Sequence, residues 1–420
     1  MGRLLAWVAL AAASVTLTAC DRSSSKPAPE PTIAESRPEA PTGGSDWPNF
    51  LGPNRDNIST ETGINKNWGG KPPKLLWKTA MGDDGYAGPC VAEGRVFIID
   101  HAGGEDVVRA IDLKSGQDVW TFRYKDADQS NNGFSRSTPA YDDGRLYIVS
   151  RLGNVACLDA RSGKPIWSGN LVQAFGGNRP QWDYSASPLI DGKKLILVPG
   201  GPGAAVVAVD KTTGRTLWKG GGSDQPGYAT PVKAKIDGRD QYVVFLAKGV
   251  VGVDAANGSL LWRQAWETSY DVNAATPLVT PSGVFITSDY GRGCAMVKPG
   301  GGLRWENKQM QAHFSSPLLY RGKIYGTGEP GKLMCIDPAD GRALWEQPGF
   351  EKGGITLVDG AIVALNGSNG ECILCEASPS GYKELGRFTP LGGQSWTAPI
   401  VAQGRLIVRN KSALACYDLK

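Results

Sequence analysis

The sequence predicts an all-β protein, an eight-bladed β-propeller whose blades are four-stranded antiparallel sheets. Three observations predict it. First, Trp recurs as Trp77, Trp120, Trp167, Trp218, Trp262, Trp305 and Trp345, with Phe388 continuing the series, at spacings of 43, 47, 51, 44, 43, 40 and 43 residues. Second, each period holds four short β-prone runs divided by Gly turns, and a repeat of this length with four strands is one propeller blade. Third, the half-repeats balance only if the two ends of the chain interlock.

The elements follow in order. The front half of each repeat is a small or hydroxyl residue, Pro, a strand, a Gly turn and a second strand. It reads TPAYDDGRLYIV at 138–149, SPLIDGKKLILV at 187–198, TPLVTPSGVFIT at 276–287, SPLLYRGKIYGT at 316–327 and APIVAQGRLIV at 398–408. GPCVAEGRVFII at 88–99 and TPVKAKIDGRDQYVVFL at 230–246 are looser copies, and ITLVDGAIVAL at 355–365 has lost the Pro. The rear half is a third strand ending in Asp, a Gly turn, and a fourth strand bearing the aromatic. Trp77 precedes the first front half, and the last repeat ends at Lys420 without a fourth strand. Leu75-Leu76-Trp77-Lys78 is therefore expected to complete the final blade, closing the ring and removing an unpaired edge.

The turn VDKTTGRTLW at 209–218 shows the local chemistry. Asp210 can accept backbone N–H groups of the turn, Gly214 supplies a positive φ, and Trp218 can lie between blades with its N–H on a carbonyl. Two residues before the Asp stand Ala110, Cys157, Ala208, Gly252, Cys335 and Cys416, small enough to let neighbouring sheets approach.

Composition agrees. The chain has 420 residues with 56 Gly and 28 Pro, which suits many short strands joined by tight turns. Its 45 basic and 41 acidic residues nearly cancel, and no basic stripe interleaves with aromatics, which argues against a nucleic-acid partner. A monomer is expected. At the start, a cationic Met1-Gly2-Arg3 leads into an apolar run to Val15, the form of an export signal. LTAC at 17–20 resembles the bacterial lipobox, which implies cleavage before Cys20 and lipidation of its thiol. Asp21 follows, a residue that in some Gram-negative bacteria favours inner-membrane retention. Residues 1–19 are thus read as a lipoprotein signal peptide, and 20–45 as the lipidated Cys with a disordered Pro- and Ser-rich tether. Residues 46–73 form an N-terminal lead-in and 74–420 the propeller. No later stretch reaches 18 consecutive apolar residues, so no membrane-spanning helix is expected.

The pattern A-x-D-x-x-[ST]-G-x-x-x-W, seen in VAVDKTTGRTLW, ACLDARSGKPIW and RAIDLKSGQDVW, resembles the repeat of the pyrroloquinoline-quinone-like (PQQ-like) propeller family. That family holds both quinoprotein dehydrogenases and BamB-like envelope lipoproteins. WPNFLGPNR at 47–55 is similar to the opening of secreted bacterial proteins of this type. The resemblance covers about 46–420 and speaks to fold, because its motif is a packing device. For a dehydrogenase it implies a quinone beneath a vicinal-Cys ring, a Ca²⁺ or lanthanide bound by Glu and Asn, and an Asp base. The chain has no Cys-Cys pair; Cys372 and Cys375, three apart on one strand, face opposite sides and suit neither a disulfide nor a metal. Asp83-Asp84 and Asp142-Asp143 are weak calcium candidates in turns. No cofactor is predicted, with PQQ and Ca²⁺ as the alternative.

One set of residues reads as a surface. Aromatics precede most first strands: Tyr86, Phe134, Tyr184, Tyr228, Tyr270, Phe314 and Trp396, joined by Arg136, Trp182, Asp183 and Gln394. They form either a rim around the channel mouth or filler between blades. The functional expectation is an exported, lipid-anchored scaffold facing the periplasm that docks an envelope protein partner, with no catalytic residues. The alternatives are a quinone-dependent dehydrogenase with an atypical site and a carbohydrate-binding propeller.

Overall fold

The computed structural model describes residues 45–129 and 132–420. The expected signal peptide, the expected lipidation site Cys20 and the expected tether up to residue 44 lie outside the described residues. Among the described residues, the strands form eight four-stranded antiparallel sheets. Blades 1 to 7 span residues 90–125, 140–170, 189–220, 232–265, 278–307, 318–348 and 355–388. Blade 8 spans 400–418 and takes its outer strand, Lys74–Ala80, from the other end of the propeller. That strand pairs antiparallel with Ala413–Asp418, and Trp77 stands opposite Cys416. The ring closes as the half-repeat count requires.

Each pair of neighbouring blades encloses its own apolar cluster. The cluster between blades 8 and 1, for example, joins Trp77, Cys416 and Ile407 to Val96, Ile98 and Leu113. The repeat Trp works in these seams. Gly116 meets the ring of Trp77, Gly163 that of Trp120, Gly214 that of Trp167 and Gly341 that of Trp305; in each case a built Cβ would fall within 3.0 Å of the indole. The turn glycine of one blade is therefore a seat for the Trp of the blade before it. The indole N–H then bonds the carbonyl that follows the turn Asp, as from Trp77 to Leu113 at 2.8 Å, Trp120 to Ala160 at 3.0 Å and Trp167 to Lys211 at 2.9 Å. Asp112, Asp159 and Asp210 accept turn N–H groups, Asp210 from both Thr212 and Thr213 at 2.9 Å. Those bonds hold its carboxyl below the usual range.

The repeat departs from the expected pattern in three places. Lys194 donates to the Ala255 carbonyl, the one Trp218 would use, and the Trp218 N–H is left buried without a partner. Trp262 bonds Gln241 of its own blade at 2.8 Å and lies over Gly252, because blade 5 replaces the turn Asp with Lys298 and runs on through Gly300-Gly301-Gly302. In blade 7 the residue opposite Leu374 is Gly386 rather than Phe388, which pairs with Cys372. Phe388 is therefore two residues off the docking position. Trp68 of the lead-in fills the seam instead: it is buried in the cluster between blades 7 and 8, meets Phe388 edge-on at 5.3 Å, and precedes Gly69, whose N–H bonds Leu385 at 3.3 Å.

All seven described cysteines are free and buried. Cys372 lies in the seam between blades 7 and 8 and Cys375 in that between blades 6 and 7, so this pair does face opposite ways.

Candidate functional site

The first strand of each blade is innermost, and its inward edge has no strand partner. The lead-in uses those edges. Trp47 forms a two-way bridge with Val91 of blade 1 at 2.9 and 2.8 Å, Pro48 accepts from Tyr141 of blade 2, and Arg55 donates to Ile190 of blade 3 at 3.0 Å. The chain then crosses the channel. Asn57 donates to Ser316 of blade 6 at 2.9 Å, Ser59 pairs with Leu357 of blade 7, and its hydroxyl bonds Val401 of blade 8. Gly52 turns the segment at φ +88, and a built Cβ there would fall 2.9 Å from the Trp47 ring. WPNFLGPNR thus acts as a plug that closes one end of the channel. The sequence did not determine whether the channel is open; the fold makes it a cup.

The cup has a volume of about 400 Å³, within the range of small-ligand sites. Its floor is Trp47, Phe50 and Leu51. Its wall follows one register, three residues before the Pro that opens each inner strand: Tyr86, Arg136, Ser185, Tyr228, Ala274, Phe314 and Trp396. In blade 7 Ile355 replaces the Pro, and Lys352 stands at the same offset. This register explains which expected rim residues arrive. Tyr86, Arg136, Tyr228, Phe314 and Trp396 are on it, and Trp182 folds in beside Tyr228, whose hydroxyl accepts from its N–H at 3.3 Å.

Phe134, Tyr184, Asp183 and Gln394 are off it and do not line the cup. Phe134 stacks on His101 at 3.6 Å beneath Arg151. Tyr184 is buried and donates to Pro199 at 2.9 Å. Asp183 is buried between Arg151 at 2.9 Å and Arg179 at 2.5 Å. Gln394 is half-buried beside Trp396. Tyr270 is 62 % exposed and stands on the outer lip. An aromatic side chain is large enough to fill an inter-blade gap or to face the channel, and the offset from Pro separates Tyr86, Tyr228, Phe314 and Trp396, which face the cup, from Phe134 and Tyr184, which do not.

Lys352, Tyr290 and His313 were not foreseen. With them the mouth becomes a continuous arc of rings. Tyr86 stacks on Trp396 at 5.1 Å, Trp396 meets Phe314 at 5.3 Å, Phe314 meets His313 at 5.0 Å, and His313 meets Tyr290 at 5.2 Å. Tyr290 then meets Tyr270 at 5.6 Å, Tyr270 meets Trp182 at 5.7 Å, and Trp182 meets Tyr228 at 6.2 Å. Arg136 lies 5.8 Å over Tyr86 and Lys352 5.7 Å over Trp396. Burial and the charge of Lys352 lower the His313 pKa below its ordinary value.

Among the described residues no Asp, Glu or Cys lines the cup. Its donor set does not fit a Ca²⁺–quinone pair, since Ca²⁺ takes carboxylate and carbonyl oxygens. A buried trio, His101, Asp106 and Asp126, does bring ligand atoms within 4.8 Å of one another. Both Asp126 oxygens, however, already accept from Arg151 at 2.6 and 2.7 Å, and the His101 nitrogens are taken by Asp83 and the Asp126 carbonyl. A guanidinium stands where a cation would have to bind. Asp83, Asp84, Asp142 and Asp143 are each within ion-pair distance of a basic side chain.

A family model described as outer membrane protein assembly factor BamB matches residues 104–347, more than half of the chain. The chain belongs to the BamB family. A curated relative of that description from Moranella endobia is 25 % identical over 305 residues, covering 66 % of this chain and 72 % of its own. The crystal structure of BamB from Moraxella catarrhalis superposes with a TM-score of 0.60 at 18 % identity, covering 82 % of this chain and 99 % of that one. A quinohemoprotein alcohol dehydrogenase from Pseudomonas putida HK5 superposes at 0.64 with 14 % identity, covering 89 % of this chain and 80 % of its own. At these identities the structural likenesses show the fold alone.

Proposed function

We propose that this protein is a non-catalytic docking module of the bacterial envelope that assists outer membrane protein assembly from a lipid anchor at Cys20, and that it holds its partner at the aromatic mouth. Membership of the BamB family carries the reading, and the plugged cup supports it: a channel closed at one end offers a single face to a partner, and that face is ringed with large amphipathic side chains of the kind that anchor interfaces. The cup carries no PQQ–Ca²⁺ pair in this reading, because its lining supplies neither carboxylates nor a vicinal Cys ring.

The test uses the full-length lipidated chain with a photo-crosslinking residue at Tyr270 or Tyr290 on the lip, or at Leu217 on an outer strand. Illumination in intact cells should join lip positions, and not Leu217, to a defined outer membrane assembly protein. Crosslinks confined to Leu217 would overturn the docking face, and normal outer membrane protein levels in a deletion strain would overturn the role. Membrane fractionation of cells carrying the full-length lipidated chain reads out whether Asp21 holds the protein at the inner membrane. A stoichiometric heat of binding for PQQ with Ca²⁺ would restore the dehydrogenase alternative.

A further inference from the structure

We propose that the end of the propeller opposite the cup mouth lies on an anionic bilayer, so that the cup opens away from the membrane. The inference rests on the lipid anchor of the docking reading and adds the face that meets the lipid.

Each outer strand carries a β-bulge at the residue before its docking position. Pairing skips Leu76 in blade 8, Val119 in blade 1, Ile166 in blade 2 and Leu217 in blade 3. Those four side chains are between 42 and 49 % exposed. At the same position in blades 4, 6 and 7, Leu261, Leu344 and Leu385 pack against the seam clusters, and blade 5 has Arg304. Exposed apolar bulges are therefore confined to four consecutive blades, half of the ring. Leu75 and Leu260, one residue earlier, continue the belt at blades 8 and 4.

Cations accompany the belt. Lys74, Lys164 and Arg215 each stand two residues before a bulge, and Lys114 and Arg161 lie in the turns that lead to it. All five are exposed, and among the described residues none forms an ion pair. The nearby turn acids Asp112 and Asp159 already accept turn N–H groups. Asp118, Asp142 and Asp191 are taken by Arg109, Lys211 and Lys233, which leaves Glu93 and Asp143 as the exposed acids of the turns joining first to second strands in blades 1 and 2. Blade 6 repeats the order with Arg342 before Leu344, but there Arg342 pairs with Asp340 at 3.7 Å.

Topology puts the belt at the closed end. In an antiparallel blade the turn joining first to second strand and the turn joining third to fourth share one end. The cup is built at the other, from the segments that enter the first strands and from Tyr290 between second and third. Val119, Ile166 and Leu217 each lie three residues beyond the glycine of a third-to-fourth turn. The chain that precedes the plug leaves from this end too. The Ser45 carbonyl accepts from the Gln403 N–H at 3.1 Å in a turn of blade 8, and Asp46 accepts from the Glu93 N–H at 3.4 Å in a turn of blade 1. A lipid on Cys20 therefore draws on the belt end, beside two of its four blades.

A bilayer fits this surface better than a protein strand does. The bulges break the regular edge that strand addition needs. Single apolar side chains set among unpaired cations suit the headgroup boundary, where a lipid anchor and a basic patch reinforce each other.

The experiment reconstitutes the full-length lipidated chain in vesicles of phosphatidylethanolamine and phosphatidylglycerol, and reads the quenching of a bimane label by lipids brominated along their acyl chains. The label is carried at Ile166→Cys in the belt or at Ser269→Cys beside the lip, and the propeller's own cysteines are buried. Quenching at 166 should exceed that at 269 at least about threefold, and the excess should drop to roughly half or less in phosphatidylcholine, or when Lys74, Lys164 and Arg215 are all replaced by Gln. Val119→Ser combined with Leu217→Ser is the second variant and should lower the excess as well. These exposed substitutions leave the melting curve unchanged. Equal quenching at the two positions, or an excess indifferent to lipid charge, overturns the inference. So does a photo-crosslinker at Ile166 that joins a protein in intact cells, which gives the belt to a protein partner. Lip crosslinks that persist in either case leave the docking reading standing. A chain that does not stay with the vesicles shows that the Cys20 anchor fails, and both readings fall.

Discussion

The indole of Trp77 lies against Gly116, a residue of a different blade, and donates its N–H to Leu113 at 2.8 Å. Trp77 is on the first strand of the propeller in sequence and Gly116 is in the first complete blade, yet the contact between them is the seam that shuts the ring. A Cβ on Gly116 would fall 2.7 Å from the indole, at a φ of +73 that only Gly adopts freely. Gly116→Ala should therefore open the seam, and Trp77→Ala should cost about 3–5 kcal/mol, the usual range for a buried Trp. Thermal melts of both variants test this. A shift in melting temperature no larger than that of an exposed-strand substitution such as Val119→Ala would refute it.

The Trp residues should not be equivalent. Trp77→Phe leaves the Leu113 carbonyl without its partner, whereas Trp218→Phe removes an N–H that has none. The expected gap is about 1–2 kcal/mol in favour of the Trp218 variant, read from urea denaturation midpoints.

Trp68 stands in for the docking Trp that blade 7 lacks. Trp68→Ala should loosen the seam between blades 7 and 8 alone. Hydrogen exchange is the readout: amides of Cys372–Glu376 and Ala413–Asp418 should lose protection while those of blades 2 to 4 keep theirs.

Asp106 is fully buried, and burial pushes its carboxyl up to about 6, partly offset by the Ser135 hydroxyl at 2.7 Å. Because the folded-state value is raised above the unfolded one, its contribution is complete below pH about 4 and is lost as pH rises through 6. A rise of that size corresponds to about 3 kcal/mol. Asp106→Asn should lack this dependence, so the stability difference between wild type and variant should move in the variant's favour from pH 4 to pH 7. An unchanging difference across that range would show that Asp106 does not titrate in this way.

The plug depends on Gly52 as its hinge. Gly52→Ala forces either the left-handed backbone or the Trp47 ring to yield, and should release the segment from Val91. Phe50→Cys in this background, with the seven propeller cysteines buried, should react with a thiol probe faster than Phe50→Cys in the plug that keeps Gly52.

Much of this protein is determined along the chain. Repeating Asp, Gly and Trp at a fixed spacing sets the turn, its positive φ and the ring that docks on it, and each of these acts within ten residues or against the next copy of itself. Blade number and ring closure followed because the half-repeats had to balance. The tertiary structure decided what depends on unlike segments meeting. The path of residues 47–59 across the channel arises because the open inner edges of blades 1, 2 and 7 bond its backbone while the side chains of Arg55, Asn57 and Ser59 reach blades 3, 6 and 8. Trp68 entered a seam that its distance in sequence from Phe388 did not suggest. Among Tyr86, Phe134, Tyr184, Tyr228, Phe314 and Trp396, the division into cup and filler rested on a three-residue offset from Pro. That offset is written in the sequence, but it carries meaning only when eight loops converge on one axis. A charged wall assembled from Lys352, Trp396, Tyr86 and Arg136 is a product of that convergence, since the residues that make it are neighbours only once the ring has closed.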